Sequence, residues 1–264
     1  MSEVTKFPAN TFCWPELATS DTEGAKKFYA DVLGWTYQDD EIGPDMVYTM
    51  NLIGDKNAGA MFLINEEMKA MNIPPNWLQY VSVDSVDDKT AKAKDLGATA
   101  LRDPMDVMDI GRMSVLQDPT GGVFALWQPK QAHGSQLINE PGALSWNELF
   151  TNDVDRAGKF YTDLFDWSAE TKDMGGTMYT VFMNGERPAA GMMAINQEEM
   201  GDAPPNWLVY FATDDTDSAA DRIKSGGGQI LVPPQDIPEV GRCSVAMDPQ
   251  GAAFAVIKLE NPLP

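Results

Sequence analysis

The sequence predicts a mixed fold of strands and helices in which one domain is written twice. Three pairs of segments carry this. Residues 14–35, WPELATSDTEGAKKFYADVLGW, and 146–167, WNELFTNDVDRAGKFYTDLFDW, agree at 11 of 22 positions. Residues 74–84, PPNWLQYVSVD, and 204–214, PPNWLVYFATD, agree at 7 of 11, as do 111–121, GRMSVLQDPTG, and 241–251, GRCSVAMDPQG. The order is kept, and the offset drifts only from 132 to 130. A period this long marks tandem domains and not a solenoid. The first domain is read as 8–129, the second as 142–260, with a polar, Gly- and Pro-bearing linker at 130–141 that holds His133, the sole histidine.

Within the first domain the elements follow from local chemistry. Phe12 to Thr19 alternates as a strand does. Asp21 can cap the next helix by accepting orphan backbone N–H groups. Ala25, Phe28, Tyr29, Val32 and Leu33 then recur at helical spacing, and Gly34 stands where a left-handed cap ends a helix. In the second domain the same stripe is Ala157, Phe160, Tyr161, Leu164 and Phe165, closed by Asp166, a poorer cap than glycine. Strands are expected at Met46–Leu52 and Ala58–Ile64, then a loop, then a strand at Trp77–Val83. A helix from Val86 to Leu96 stops at Gly97. Strands at Met113–Leu116 and Val123–Gln128 flank the turn Asp118-Pro119-Thr120-Gly121. Each domain thus reads strand-helix-strands twice. The run SGGGQ at 225–229 reads as the end of a helix and not as a nucleotide loop.

Composition narrows the function classes. Forty Asp and Glu against 19 Lys and Arg leave a formal charge of −21. A field of that sign repels nucleic-acid phosphates and anionic membranes. No apolar run is long enough to span a bilayer, and MSEVTKFPANTF lacks the apolar core of a secretory signal, so the expected location is cytoplasmic. Two cysteines, Cys13 and Cys243, make no disulfide framework and read as small buried apolar residues. One histidine leaves little room for a multi-histidine metal site or a histidine-based triad. Sixteen methionines suit either core filling or a pliable pocket. There is no GxGxxG, phosphate loop, GxSxG or CxxC motif.

The segments TSDTEGAKKFYADVLGW, VSVDSVDD and DPTGGVFALWQ, each with its partner in the second half, resemble the vicinal oxygen chelate superfamily: glyoxalase I, bleomycin-resistance proteins and extradiol dioxygenases. The resemblance spans most of the chain. It implies an α+β protein of two tandem glyoxalase-like domains, each of paired βαβββ units whose curved mixed sheet surrounds a cavity. It also says where metal-binding members keep their ligands. Counted from the helix-capping and turn aspartates, those places hold Trp14, Leu78 and Ala125 in the first domain and Trp146, Leu208 and Ala255 in the second. The remaining one lies near Gly59–Met61 and Gly191–Met193. None of these side chains can bind a divalent ion. The expectation is therefore no metal and no cofactor.

Strand alternation then nominates the cavity wall. Glu16 shares a face with Trp14, and Glu148 with Trp146. These two carboxylates are the candidate catalytic residues. Each would act as a general acid or base if desolvated, would touch a ligand hydroxyl or amine, or would cap a backbone group or pair with a nearby arginine. Tyr80, Tyr210 and Trp127 face inward by the same rule, whereas Trp77 and Trp207 face the helices. Tyr48 and Tyr179 correspond, with ambiguous facing. Arg112 and Arg242 each follow a glycine and could pair with Glu16 and Glu148, greet an acidic ligand or serve on the surface. An aromatic wall with polar tips suits a small, planar organic ligand. Two function classes result: a binding protein that sequesters such a molecule, or a glyoxalase-like lyase or isomerase using a cavity glutamate or a non-standard metal site. Two covalently joined domains can stand in for a dimer, so a monomer is preferred over a homodimer.

Overall fold

The computed structural model describes residues 3–43 and 46–260. The first half runs β1 (Thr11–Thr19), α1 (Thr22–Leu33), β2 (Thr36–Gly43), β3 (Met46–Ile53), β4 (Lys56–Leu63), α2 (Glu66–Ala70), β5 (Asn76–Ser82), α3 (Val86–Asp95), β6 (Thr99–Val107), β7 (Gly111–Gln117) and β8 (Val123–Pro129). The second half repeats it as β9 (Leu144–Thr151), α4 (Val154–Phe165), β10 (Ser168–Asp173), β11 (Met178–Asn184), β12 (Arg187–Ala194), α5 (Gln197–Met200), β13 (Asn206–Ala212), α6 (Thr216–Ser225), β14 (Gln229–Ile237), β15 (Gly241–Met247) and β16 (Ala253–Leu259). This is α+β architecture in two βαβββ pairs.

The caps act as their chemistry dictates. The Asp21 carboxylate accepts from the Gly24 N–H, and Gly34 takes φ 74° while its N–H returns to Ala30 O. Asp166 adopts the same left-handed turn at φ 57°. Three element types were not legible in the sequence: strands β2 and β6, with their counterparts β10 and β14, and the short helices α2 and α5. The reason is visible in the strand order, β2-β3-β4-β1-β5-β8-β7-β6, repeated as β10-β11-β12-β9-β13-β16-β15-β14. The missed strands are the edges. Edge strands face water, tolerate proline (Pro104, Pro233, Pro234) and need no apolar alternation. Residues of β10 are exposed throughout.

At the centre of each sheet the two units meet through one antiparallel pair, β1 with β5 and β9 with β13. Both pairs carry a bulge. The register skips Cys13 between Phe12 and Trp14, and skips Ser145 between Leu144 and Trp146. A bulge adds one residue and turns the side chains that follow. Phe12 therefore packs toward the helices, while Cys13 and Trp14 both pack on the opposite face.

The four long helices form a middle layer between the two sheets. Helix α1 buries Ala25, Phe28, Tyr29 and Val32 against Leu17 and Trp77 of its own sheet and against Val209, Phe211 and Phe254 of the other. Helix α4 does the reverse with Phe160, Tyr161 and Leu164, meeting Val81, Phe124 and Leu126 of the first sheet. Each sheet hence has one face sunk in a shared core and one helix-free face. The linker is strapped to the first domain. Lys130, Gln131 and Ala132 all donate N–H groups to Ile110 O, Ser135 N–H reaches Cys13 O, and Gln136 N–H reaches Asn57 O. Leu137 is buried, and His133 is exposed.

Two buried hydrogen-bonded chains cross the helix layer. Trp77 Nε1 donates to Tyr29 Oη at 3.0 Å, and Tyr29 Oη donates to Asp248 Oδ2 at 2.9 Å. Their counterparts are Trp207 Nε1 to Tyr161 Oη at 2.8 Å and Tyr161 Oη to Asp118 Oδ2 at 2.7 Å. The other oxygen of each aspartate gathers the N–H groups of its own turn: Thr120, Gly121 and Gly122 for Asp118, and Gln250, Gly251 and Ala252 for Asp248. Burial pushes the Asp248 carboxyl above its ordinary range against these bonds. Replacing Tyr161 with Phe strands both Asp118 Oδ2 and the Trp207 N–H in a dry interior, at an expected cost of about 1–3 kcal/mol. Urea unfolding of Y161F and Y29F measures it, and a change below the error of the fit contradicts the assignment.

Candidate functional site

The helix-free face of the first sheet collects Trp14, Glu16, Leu78, Tyr80, Ala125 and Trp127. The register explains this. Glu16 lies opposite Leu78, Trp14 opposite Tyr80, and Tyr80 opposite Ala125. Trp127 packs with Tyr80 edge to face at 6.3 Å and donates its Nε1 N–H to Ala132 O in the linker. On the second sheet the same positions hold Trp146, Glu148, Leu208, Tyr210, Ala255 and Ile257. The Trp-x-Glu pair is thus held on one face by alternation downstream of the bulge. Trp77 and Trp207 lie in the helix-side cores.

The glutamates end in tyrosines. Glu16 Oε2 accepts from Tyr48 Oη at 2.6 Å, and Oε1 accepts from Tyr80 Oη at 2.7 Å. Trp14 Nε1 donates to Tyr48 Oη at 3.2 Å, closing the chain Trp–Tyr–Glu–Tyr. In the second domain Tyr210 Oη donates to Glu148 Oε2 at 2.6 Å and Trp146 Nε1 donates to Tyr179 Oη at 3.0 Å. Burial, and then the neighbouring Glu148, raise the Tyr179 hydroxyl. The facing of Tyr48 and Tyr179 was ambiguous in sequence because they lie on β3 and β11, two strands away from the glutamates. Their length lets them reach over β4 and β12. Residue 191 shows the fit: a Cβ on Gly191 would overlap Tyr179 Oη and approach Trp146 Nε1 within 2.9 Å. The first domain has Ala60 at the matching place, paired with Glu16 as Gly191 is with Glu148.

Arg112 and Arg242 do not join the glutamates; of the roles open to them, the structure shows ion pairs with aspartates. Arg112 forks onto Asp87 with bonds of 2.8 and 2.9 Å and reaches Asp106 at 3.5 Å. Arg242 forks onto Asp217 and reaches Asp236 at 2.9 Å. Each arginine alternates with a cavity-side neighbour, Met113 or Cys243, and so points to the helix side of its strand, where α3 or α6 supplies the aspartate. Glu16 neither caps a backbone group nor pairs with an arginine. Cys243 lies on the site face of the second sheet with Tyr210, and burial and the nearby Glu148 raise its thiol to about 11. It is not poised as a nucleophile. The sequence signal for its placement was its position one residue after Arg242 on an alternating strand.

Burial pushes both Glu16 and Glu148 above the usual carboxylate range, and the tyrosine hydroxyls only partly offset it. Burial, and then the neighbouring carboxylate, drives Tyr48, Tyr80 and Tyr210 far upward, so the phenols stay protonated donors. Among the described residues no cluster of three or more His, Cys, Asp or Glu could hold a metal ion. No described helix is long and apolar enough to cross a membrane.

A carboxyl raised in the fold keeps its proton where the unfolded chain has lost it. The folded state then binds more protons above the ordinary value of 4.5, so stability falls as pH rises from there through the raised value. Replacing Glu148 with Gln removes that slope. Thermal unfolding of wild type and E148Q between pH 4 and 8 is expected to show wild type losing ground to E148Q as pH rises; parallel curves contradict the raised carboxyl. Replacing Gly191 with Ala is expected to cost about 1–3 kcal/mol by overpacking and to shift the near-ultraviolet circular dichroism of Trp146 and Tyr179. An unchanged spectrum contradicts the contact.

The profile of the Glyoxalase/Bleomycin resistance protein/Dioxygenase superfamily matches residues 11–126 and 143–256. The protein named "Putative glyoxylase CFP32" of Mycobacterium tuberculosis is 36% identical over 260 residues, covering 98% of each chain. The anthracycline biosynthesis protein DnrV of Streptomyces peucetius is 26% identical over 284 residues, covering 99% of this chain and 98% of that one. Among solved structures, the Mn(II)-bound glyoxalase of Novosphingobium aromaticivorans superposes with a TM-score of 0.66 at 16% identity, covering 97% of this chain and 86% of that one. The 2,3-dioxygenase LapB of Pseudomonas sp. KL28 gives 0.64 at 13% identity, covering 100% and 96%. The tandem sheets, the paired βαβββ units and the profile match over both halves together make this chain a member of the Glyoxalase/Bleomycin resistance protein/Dioxygenase superfamily.

Proposed function

We propose that the protein binds a small, planar organic molecule on its helix-free sheet faces without a metal ion. The observation that carries this is the closed Glu–Tyr network. The Glu16 carboxylate already spends both oxygens on phenol donors and Glu148 spends one, and the neighbouring positions hold Trp, Leu, Ala and Gly. A divalent ion needs several anionic or imidazole donors converging on one point, and these residues offer none. What they do offer is flat apolar surface with hydroxyl and indole tips, which suits an aromatic ligand bearing a few polar groups. A relative named for anthracycline biosynthesis fits that class. The chain acts as a cytoplasmic monomer on this reading, since its two domains already cover each other's helices.

A second reading, a glyoxalase-like lyase or isomerase, is favoured by the relative named as a glyoxylase and by the desolvated carboxylates. Glu16 or Glu148 would take a proton from a bound substrate once a tyrosine hydroxyl turns aside. The double variant E16Q/E148Q separates the readings, because turnover of a reactive aldehyde that survives it removes the enzymatic one. The binding reading is tested by metal analysis of the purified protein and by fluorescence titration with an anthracycline. The expected result is saturable binding by metal-free protein. A stoichiometric, tightly held divalent ion contradicts it.

A further inference from the structure

The two domains share one framework, and among the wall positions at which they differ one lies beside the glutamate on its own strand. The motif reads Trp14-x-Glu16-x-Ala18 in the first domain and Trp146-x-Glu148-x-Phe150 in the second. Leu17 and Leu149 lie in the helix-side cores, so Ala18 and Phe150 share the glutamates' face. Phe150 packs on the cluster containing Leu208 and Tyr210. The consequence is measurable. Glu148 and its cross-strand partner Leu208 are only 5% and 4% exposed. Glu16 and its partner Leu78 are half-buried. Phe62, which pairs with Ala18, and Met193, which pairs with Phe150, are both half-buried, so neither accounts for the difference.

The opposite wall differs in the other direction. The first domain has Met113 and Trp127, backed by Phe7 and by the linker's Ala132. The second has the smaller Cys243 and Ile257. That space leaves Glu148 sealed all the same, so the Phe150 side is what decides access to the carboxylate.

We infer that the first domain carries the ligand site, reached at the half-buried Glu16 and Leu78, and that Phe150 closes the equivalent site in the second. Position 18/150 is therefore the specificity-determining residue of the binding site proposed above, and the inference rests on that reading. The preferred ligand presents a flat ring system to the half-buried Trp14 and Leu78 and a hydrogen-bonding group to Glu16 and its tyrosines.

Daunomycin, a fluorescent planar quinone, serves as the probe. Wild type, A18F and F150A are titrated as full-length protein, and the wild-type complex is crystallised. The expected results are one probe per wild-type chain with density beside Glu16, affinity weakened at least about tenfold in A18F by overpacking, and two probes per chain in F150A. Because F150A gains a property, a poorly folded A18F cannot decide the matter alone. Two equivalent probes on wild type, density beside Glu148, unchanged affinity in A18F, or a single probe on F150A each overturns the inference while leaving the binding reading intact. No binding to any of the three proteins removes the binding reading and this inference with it.

Discussion

The hydrogen bond between the helix tyrosine of one domain and the turn aspartate of the other is the interaction on which the architecture depends. Tyr29 and Tyr161 are fully buried and must place their hydroxyls. Each finds a carboxylate whose other oxygen is held by three backbone N–H groups of a tight turn. The aspartate is thus a rigid part of the foreign sheet, and the tyrosine that reaches it fixes where the helix lies. A low-dielectric setting strengthens such a chain and makes a half-made one costly. The result is a unique docking of two domains in which a purely apolar layer would allow sliding.

That docking decides where chemistry can occur. With the long helices packed between the sheets, the opposite faces carry no helix cover. On those faces the bulges at Cys13 and Ser145 set the parity of everything that follows, and so carry Trp, Glu and the residue after them to one side. The glutamates would be isolated buried charges without the tyrosines, and the tyrosines would have no acceptor without the glutamates. Their mutual satisfaction gives the site a preorganised hydrogen-bonding centre inside an otherwise apolar wall.

Much of this was legible one residue at a time. The helix stripes, the Asp21 cap and the Gly34 ending follow from period and cap chemistry, and the family resemblance with strand alternation implied the shared face of Glu16, Tyr80 and Trp127. Edge strands β2, β6, β10 and β14 were not, because exposure of both faces removes the apolar alternation that marks a strand. The partners of the arginines were open for a different reason. A charged residue near a glutamate in a homologous motif suggests a pair, but Arg112 and Arg242 sit on the strand face opposite the carboxylate, where α3 and α6 offer aspartates within reach.

What the sequence by itself determined is the duplicated plan, the elements of each unit and the identity of the wall residues, since repetition, periodicity and capping act within a few residues of chain. What only the tertiary structure decided is partnership. Tyr29 meets Asp248 across 219 positions, and Tyr48 reaches Glu16 over an intervening strand. These contacts join segments remote in sequence, and their existence depends on how two sheets pack around shared helices, which no local pattern encodes.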